Sequence, residues 1–89
     1  MFRFYKVLKV KILEKVKVGL DKFFLIERNH LTNLQREFLV CKNYNKKSNT
    51  YLEGEIFVDS VDAYDYFNSC VKEKRILEVV KEVKNDSTN

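Results

Sequence analysis

The stretch KVLKVKILEKVKVG, Lys6 to Gly19, decides the fold. Hydrocarbon side chains alternate with lysine along almost all of it. Extended to Phe2–Leu20, eight of the ten even positions are apolar: Phe2, Phe4, Leu8, Val10, Ile12, Val16, Val18 and Leu20. The odd positions include Arg3, Lys9, Lys11, Lys15 and Lys17. A period of two is the signature of a strand with one dry and one wet face. A helix would align Leu8, Ile12, Val16 and Leu20 but leave Val10 and Val18 among the charges, and the β-branched content also favours a strand. Nineteen residues is long for a strand, so a bulge or break is expected near Leu13-Glu14, where the alternation stutters.

Working outward, Gly19 to Lys22 reads as a turn. KFFLIE, Lys22 to Glu27, reads as a buried strand that pairs with the first. RNHLTN, Arg28 to Asn33, is polar and reads as a loop. QREFLVCKNY, Gln35 to Tyr44, is a third strand; NKKSN, Asn45 to Asn49, is a hairpin loop; TYLEGEIFV, Thr50 to Val58, is a fourth strand. Straight alternation in the fourth puts Leu52, Gly54, Ile56 and Val58 on one face and Tyr51, Glu53, Glu55 and Phe57 on the other. Gly54 would then leave room for a helix packed close to the sheet.

DSVDAYDYF, Asp59 to Phe67, opens a helix. Asp59 or Ser60 can cap it, Asp62 and Asp65 suit its positive end, and Lys72, Lys74 and Arg75 suit its negative end. Ala63, Phe67, Cys70 and Val71 share a face, and Tyr66 points away from it. At roughly 100° per residue that face centres near 40°, whereas Ile76, Val79, Val80 and Val83 centre near 210°. One straight helix cannot bury both stripes on one core. The helix is therefore expected to end near residue 74 and Ile76–Val83 to form a last strand, although the 76, 79, 80, 83 spacing equally suits a second helix at a new angle. The expected fold is α+β: an antiparallel sheet of four to five strands (β-β-β-β-α-β) with one helix, about 60–74, packed on one face. Residues 1–84 make one domain and 85–89 a disordered tail.

Composition narrows the function. The chain has 89 residues, 45% hydrophobic, with seven Phe and five Tyr to build a core. Two cysteines, Cys41 and Cys70, are too few for a secreted disulfide scaffold and read as buried thiols in a cytoplasmic protein. No apolar run approaches a membrane span, and charges interrupt any leader-like segment in MFRFYKVLKV. Pro is absent, Gly occurs twice and Ala once, and 13 of the 17 basic residues are Lys. Such usage looks like a low-GC genome, that of a bacterium, its phages or its plasmids.

Catalytic signatures are missing. The one histidine, His30, lacks an orienting partner and an adjacent nucleophile, and a Cys41–His30 pair is disfavoured by the apolar neighbours Leu39 and Val40. No spaced Cys/His set would hold zinc, and two glycines cannot form a phosphate-cradling loop. No enzyme, cofactor or metal is expected.

Charge is the informative feature. Residues 1–47 carry twelve Lys/Arg against four acids, residues 48–71 carry five acids and no base, and residues 72–89 carry five bases and four acids. The acidic block interleaves Glu53, Glu55, Asp59, Asp62 and Asp65 with Tyr51, Phe57, Tyr64 and Tyr66. Aromatics rimmed by charge suit protein interfaces. The leading expectation is a small non-catalytic protein that acts by protein–protein contact through Glu53, Glu55, Asp62, Asp65 and Tyr66. In its most concrete form it is a phage or mobile-element factor that modulates or inhibits a host nucleic-acid-handling or defence enzyme. The alternative is a basic sheet that binds DNA or RNA through Lys9, Lys11, Lys15, Lys17 and Lys42, with Arg3, Tyr5 and Tyr44 beside them. A strand sets Lys9 and Lys11, then Lys15 and Lys17, ~6.7 Å apart on one face. We read that row first as the wet side of the strand. A third reading is a homodimer in which the two blocks meet.

Overall fold

A computed structural model describes residues 8–30 and 36–87 of the chain, with the side chains of residues 8, 30 and 81–87 outside the description. It is α+β: four antiparallel strands, β1 (Leu8–Val18), β2 (Asp21–His30), β3 (Arg36–Asn45) and β4 (Thr50–Phe57), followed by one helix, α1 (Ser60–Ser87). Each strand pairs with the next, in the order β1-β2-β3-β4. The four expected strands are all present. Residues 28–30, expected in a loop, instead extend β2 and pair with β1, Arg28 and Asn29 also with β3; the rest of that expected loop lies outside the described residues, as does the start of the first strand.

Turn chemistry sets the hairpins. Val18 pairs with Asp21, leaving Gly19-Leu20 as a two-residue loop. Gly19 has φ 63°, the positive value that tight hairpins require of their first central residue and that glycine adopts without strain. Asn45 pairs with Thr50 across the second hairpin, and the Asn45 side-chain oxygen accepts from the Lys47 and Ser48 amides at 3.0 and 3.3 Å. That is the local bonding that makes Asn a turn former.

Two irregularities decide which side chain faces where. In β1 the register shifts between Ile12 and Glu14, where the bulge was expected. A bulge adds one residue and so inverts the alternation beyond it. Ile12 pairs with Ile26, and Val10 with Arg28, on the face away from α1; Val16 pairs with Phe23, on the face under α1. The even-numbered apolar row therefore does not share one face, as straight alternation predicts, but feeds both. In β4 a second shift, between the partners of Val40 and Lys42, surrounds Glu53 at φ 48°. Glu55 and Phe57 stay on the helix side, opposite Val40 and Phe38, while Ile56 lies on the far side opposite Leu39. The shift carries Tyr51 to the far side too, against Gly54, where a Cβ would collide with the Tyr51 ring and come within 3.1 Å of Leu39 Cδ1. The space at Gly54 is thus filled by Tyr51 and not by the helix.

The core has two parts. Under α1, Val18, Phe23, Leu25, Phe38 and Val40 of the sheet pack with Ala63, Phe67 and Val71, joined by the half-buried Leu13, Val16, Phe57, Tyr64 and Cys70. Each fully buried side chain of this kind contributes about 1.5–3 kcal/mol. On the far side Phe24, Ile26, Leu39 and Cys41 form a second cluster with Val10 and Tyr44.

The helix is where the structure departs most from expectation. Asp59 caps it: its carbonyl accepts from Ala63 N at 3.1 Å and its carboxylate from Val61 N at 2.9 Å. The helix then runs unbroken to Ser87, so 76–83 is not a strand, and most of the segment expected as a tail is helical. The two stripes lie on opposite sides of one helix: Ala63, Phe67 and Val71 are buried against the sheet, and Ile76, Val79 and Val80 are exposed. At 1.5 Å per residue, 28 residues span about 42 Å, longer than a ten-residue strand at about 33 Å. Glu78 lies against Gly19 at the β1–β2 turn. Ile76, Leu77, Val79 and Val80 are 53–58% exposed.

Candidate functional site

The strand β4 is an edge, and α1 lies over the sheet with one flank toward it. Successive residues Asp62, Tyr66 and Glu73 fall within about 40° on that flank. The Tyr66 ring packs on Phe57 with centroids 5.2 Å apart, tilted 44°, and Tyr66 remains 39% exposed. Burial pushes the Tyr66 hydroxyl above its ordinary pKa, helped by Cys70, within hydrogen-bond reach, and by the carboxylates of Glu55 and Glu53. A crevice of about 260 Å³ between helix and edge is lined by Phe23, Lys42, Glu53, Tyr66, Cys70 and Glu73 among others. The fold therefore brings Glu53, Glu55, Asp62 and Tyr66 to one surface. Asp65 is not on it: one residue before Tyr66, it sits about 100° further round, on the outer side of α1. Glu73 belongs to the set and escaped the sequence reading, because it lies in the lysine-rich stretch after the acidic block; its i+7 spacing from Tyr66 was the available signal.

Exposed apolar side chains border these acids: Leu52 on β4, Val58 between β4 and α1, and Val61 at the start of α1, 56–83% exposed; Ile56, 54% exposed, lies across the edge on the far face. An open groove of about 490 Å³ adjoins them, lined by Arg36, Phe38, Val58, Asp59 and Ser60.

An ion-pair relay ties this surface to the sheet. Lys42 Nζ lies 3.2 Å from Glu53 and 3.6 Å from Asp21, and Lys74 Nζ lies 3.4 Å from both Asp21 and Glu78. Desolvation pushes the Asp21 carboxyl up, but Lys42 and Lys74 outweigh it and hold the group below the usual aspartate value. Bonds to Glu78 and Asp21 raise the Lys74 ammonium. Lys42 also sits 5.9 Å from the Phe23 ring centroid. It is thus enclosed among acids on the helix side, on the opposite face from Lys15 and Lys17.

The other lysines are divided by the β1 bulge. Lys9 and Lys11 pair with Asn29 and Glu27, on the α1 side; Lys15 and Lys17 pair with Phe24 and Lys22, on the far side. The single row of four expected from alternation is two rows on opposite faces. Arg28 and Arg36 are bonded across β2–β3 to Glu37 and Glu27. Among the described residues no ion pair engages Lys9, Lys11, Lys15, Lys17, Lys22, Lys46 or Lys47. Arg3 and Tyr5 lie outside the described residues.

Cys41 and Cys70 are free thiols. Burial pushes Cys41 up to about 11, partly offset by Arg28, which leaves little thiolate at neutral pH. Burial also raises Cys70. The His30 side chain lies outside the description. Among the described residues no group of three or more His, Cys, Asp or Glu could hold a metal ion, and no helix is long and apolar enough to cross a membrane. Comparison of the chain with protein-family models, with curated proteins and with solved structures finds no match.

Proposed function

We propose that the chain is a non-catalytic binding protein that works by protein–protein contact through the β4 edge and the adjoining flank of α1. One observation carries this reading: Glu53, Glu55 and Tyr66 share a surface bordered by the exposed Leu52, Val58 and Val61. Anchoring aromatics and aliphatics amid charge are the features that give protein interfaces their energy and orientation. Carboxylates on this edge suit a partner with a basic surface, because they can occupy positions that phosphates would otherwise take. A host enzyme that handles nucleic acid, with a basic groove, is such a partner. The composition looks like that of a low-GC genome, and a phage or mobile-element factor that modulates or inhibits such an enzyme in the host cytoplasm is the most concrete form of this reading.

The test is affinity capture from a low-GC bacterium with the unaltered chain and with a Tyr66→Ala, Asp62→Lys double variant. A stoichiometric protein retained by the first and lost by the second, with circular dichroism unchanged, is the expected result. A protein held equally by both would remove this surface from the contact.

A further inference from the structure

The β1 bulge creates a second surface, on the face of the sheet away from α1. Beyond it, Lys15 and Lys17 point to that face, with Lys22 directly opposite Lys17 in the ladder. Like charges directly opposed across a sheet repel, at a cost of some tenths of a kcal/mol. Phe24 connects this pair to β3: Lys15 Nζ stands 5.7 Å from the Phe24 centroid, and the Tyr44 ring meets Phe24 edge-on at 5.8 Å. Beside Tyr44 opens a groove of about 410 Å³ lined by Lys22, Asn43, Tyr44, Asn45, Lys46 and Lys47.

Lys22, Lys46 and Lys47 thus line one groove with the half-buried Tyr44, and Lys17 opposite Lys22 and Lys15 over Phe24 extend the same face. The carboxylates near in sequence are on the opposite face: Glu14 pairs with Leu25 there, and Asp21 is held by Lys42 and Lys74. Unpaired cations of this kind attract phosphate, and a phosphate beside Lys17 and Lys22 would relieve their repulsion. The tyrosine and the asparagine amides distinguish the surface from a generic basic patch, since they offer a stacking ring and hydrogen-bonding groups beside the charges. Single-stranded nucleic acid presents all three counterparts, whereas duplex hides its base faces.

We propose that this corner, Lys15, Lys17, Lys22, Lys46, Lys47 and Tyr44, is a binding site for single-stranded nucleic acid, separate from the acidic surface across the sheet. It replaces the one-faced row of Lys9, Lys11, Lys15 and Lys17 that alternation alone suggests, with Lys42 added from β3.

Fluorescence anisotropy with labelled oligothymidylate of about ten nucleotides tests it, in about 50 and 200 mM salt. Binding should weaken steeply with salt, with a log–log slope near −0.7 for each phosphate engaged. Lys17→Glu with Lys22→Glu should lower the affinity about tenfold or more and flatten the slope, as fewer phosphates are held. Lys9→Glu with Lys11→Glu changes the net charge equally but lies on the other face and should have far less effect. Tyr44→Leu, which keeps an apolar group against Phe24, should weaken binding without changing the slope. No binding at low salt overturns the proposal, as does equal loss from both charge-reversed pairs. Equal affinity for duplex of the same length, or stronger binding to polyglutamate or to anionic lipid vesicles, would overturn it too.

Discussion

Replacing Val79 and Val80 together by Gln separates a helix with a bare stripe from any arrangement that buries residues 76–83. Both valines are more than half exposed, at 58% and 54%. A fully buried valine contributes about 1.5–3 kcal/mol, so the double change would cost roughly 3–6 kcal/mol if this segment were an inserted strand. In the observed helix the neighbouring turns already account for much of the shielding, and Gln keeps two methylenes over the same surface. Gln is also the better helix former by a few tenths of a kcal/mol per residue. The expected net loss is under about 1 kcal/mol, as for exposed positions generally. Phe67→Ala, at a position only 3% exposed, supplies the contrast at about 3–5 kcal/mol. Urea unfolding followed at 222 nm, at two protein concentrations well apart, measures both variants. A loss above about 2 kcal/mol for the valine pair at both concentrations would mean that the chain's own core covers the stripe, and would refute the reasoning. A loss that grows with concentration would assign the cover to a second copy.

Gly54→Ala should destabilise the chain by about 1–3 kcal/mol, because the new methyl meets the Tyr51 ring and Leu39. In a Tyr51→Ala background most of that cost should vanish, as a double-mutant cycle in urea would measure; an undiminished cost would remove Tyr51 as the cause. Stability should also fall with alkaline pH. Cys41 ionises near 11 when folded against 9.0 in the unfolded chain, so its contribution is complete below about pH 9 and is lost as pH rises through 11. The amount is roughly 2–3 kcal/mol. Tyr66, Cys70 and Lys74 are raised as well and act in the same direction. Cys41→Val should flatten the decline between about pH 9 and 11 relative to the unaltered chain; an unchanged decline would contradict the assignment.

Period-two alternation and turn residues made all four strands legible, and Asp59 marked the start of α1. The stutter at Leu13-Glu14 announced the bulge, but counting even positions straight through it hid the consequence. One extra residue exchanges the two faces, so Lys9 and Lys15 part company although both are odd-numbered. The same inversion at Glu53 moved Tyr51 against Gly54. Lys42 looked like any other strand lysine, because its partners Asp21 and Glu53 come from different strands, and Lys74, which shares Asp21, comes from the helix. Register, which no local pattern states, brings them together. The end of α1 was misplaced for another reason. Apolar periodicity reports which side chains share a face, not that something must cover them, and 76, 79, 80 was good helical spacing throughout. The acidic surface was largely legible, as Glu53, Glu55, Asp62 and Tyr66 fall close in sequence. The far-side basic corner was not: it joins Lys15, Lys17 and Lys22 to Lys46 and Lys47 through the β2–β3 register and the Phe24–Tyr44 contact.

The far-side basic corner depends on the inversion of β1 at its bulge, and a side-chain nuclear Overhauser spectrum measures that inversion directly. Ile12 methyls should show cross-peaks to Ile26 on the far face. Val16 methyls should show them to Phe23 beneath the helix, and Lys15 methylene protons should be shifted upfield by the Phe24 ring. Ile12 and Val16 both giving cross-peaks to Phe67 and Val71, with Lys15 unshifted, would place the whole apolar row under α1 and contradict the division of the lysines on which the basic corner rests.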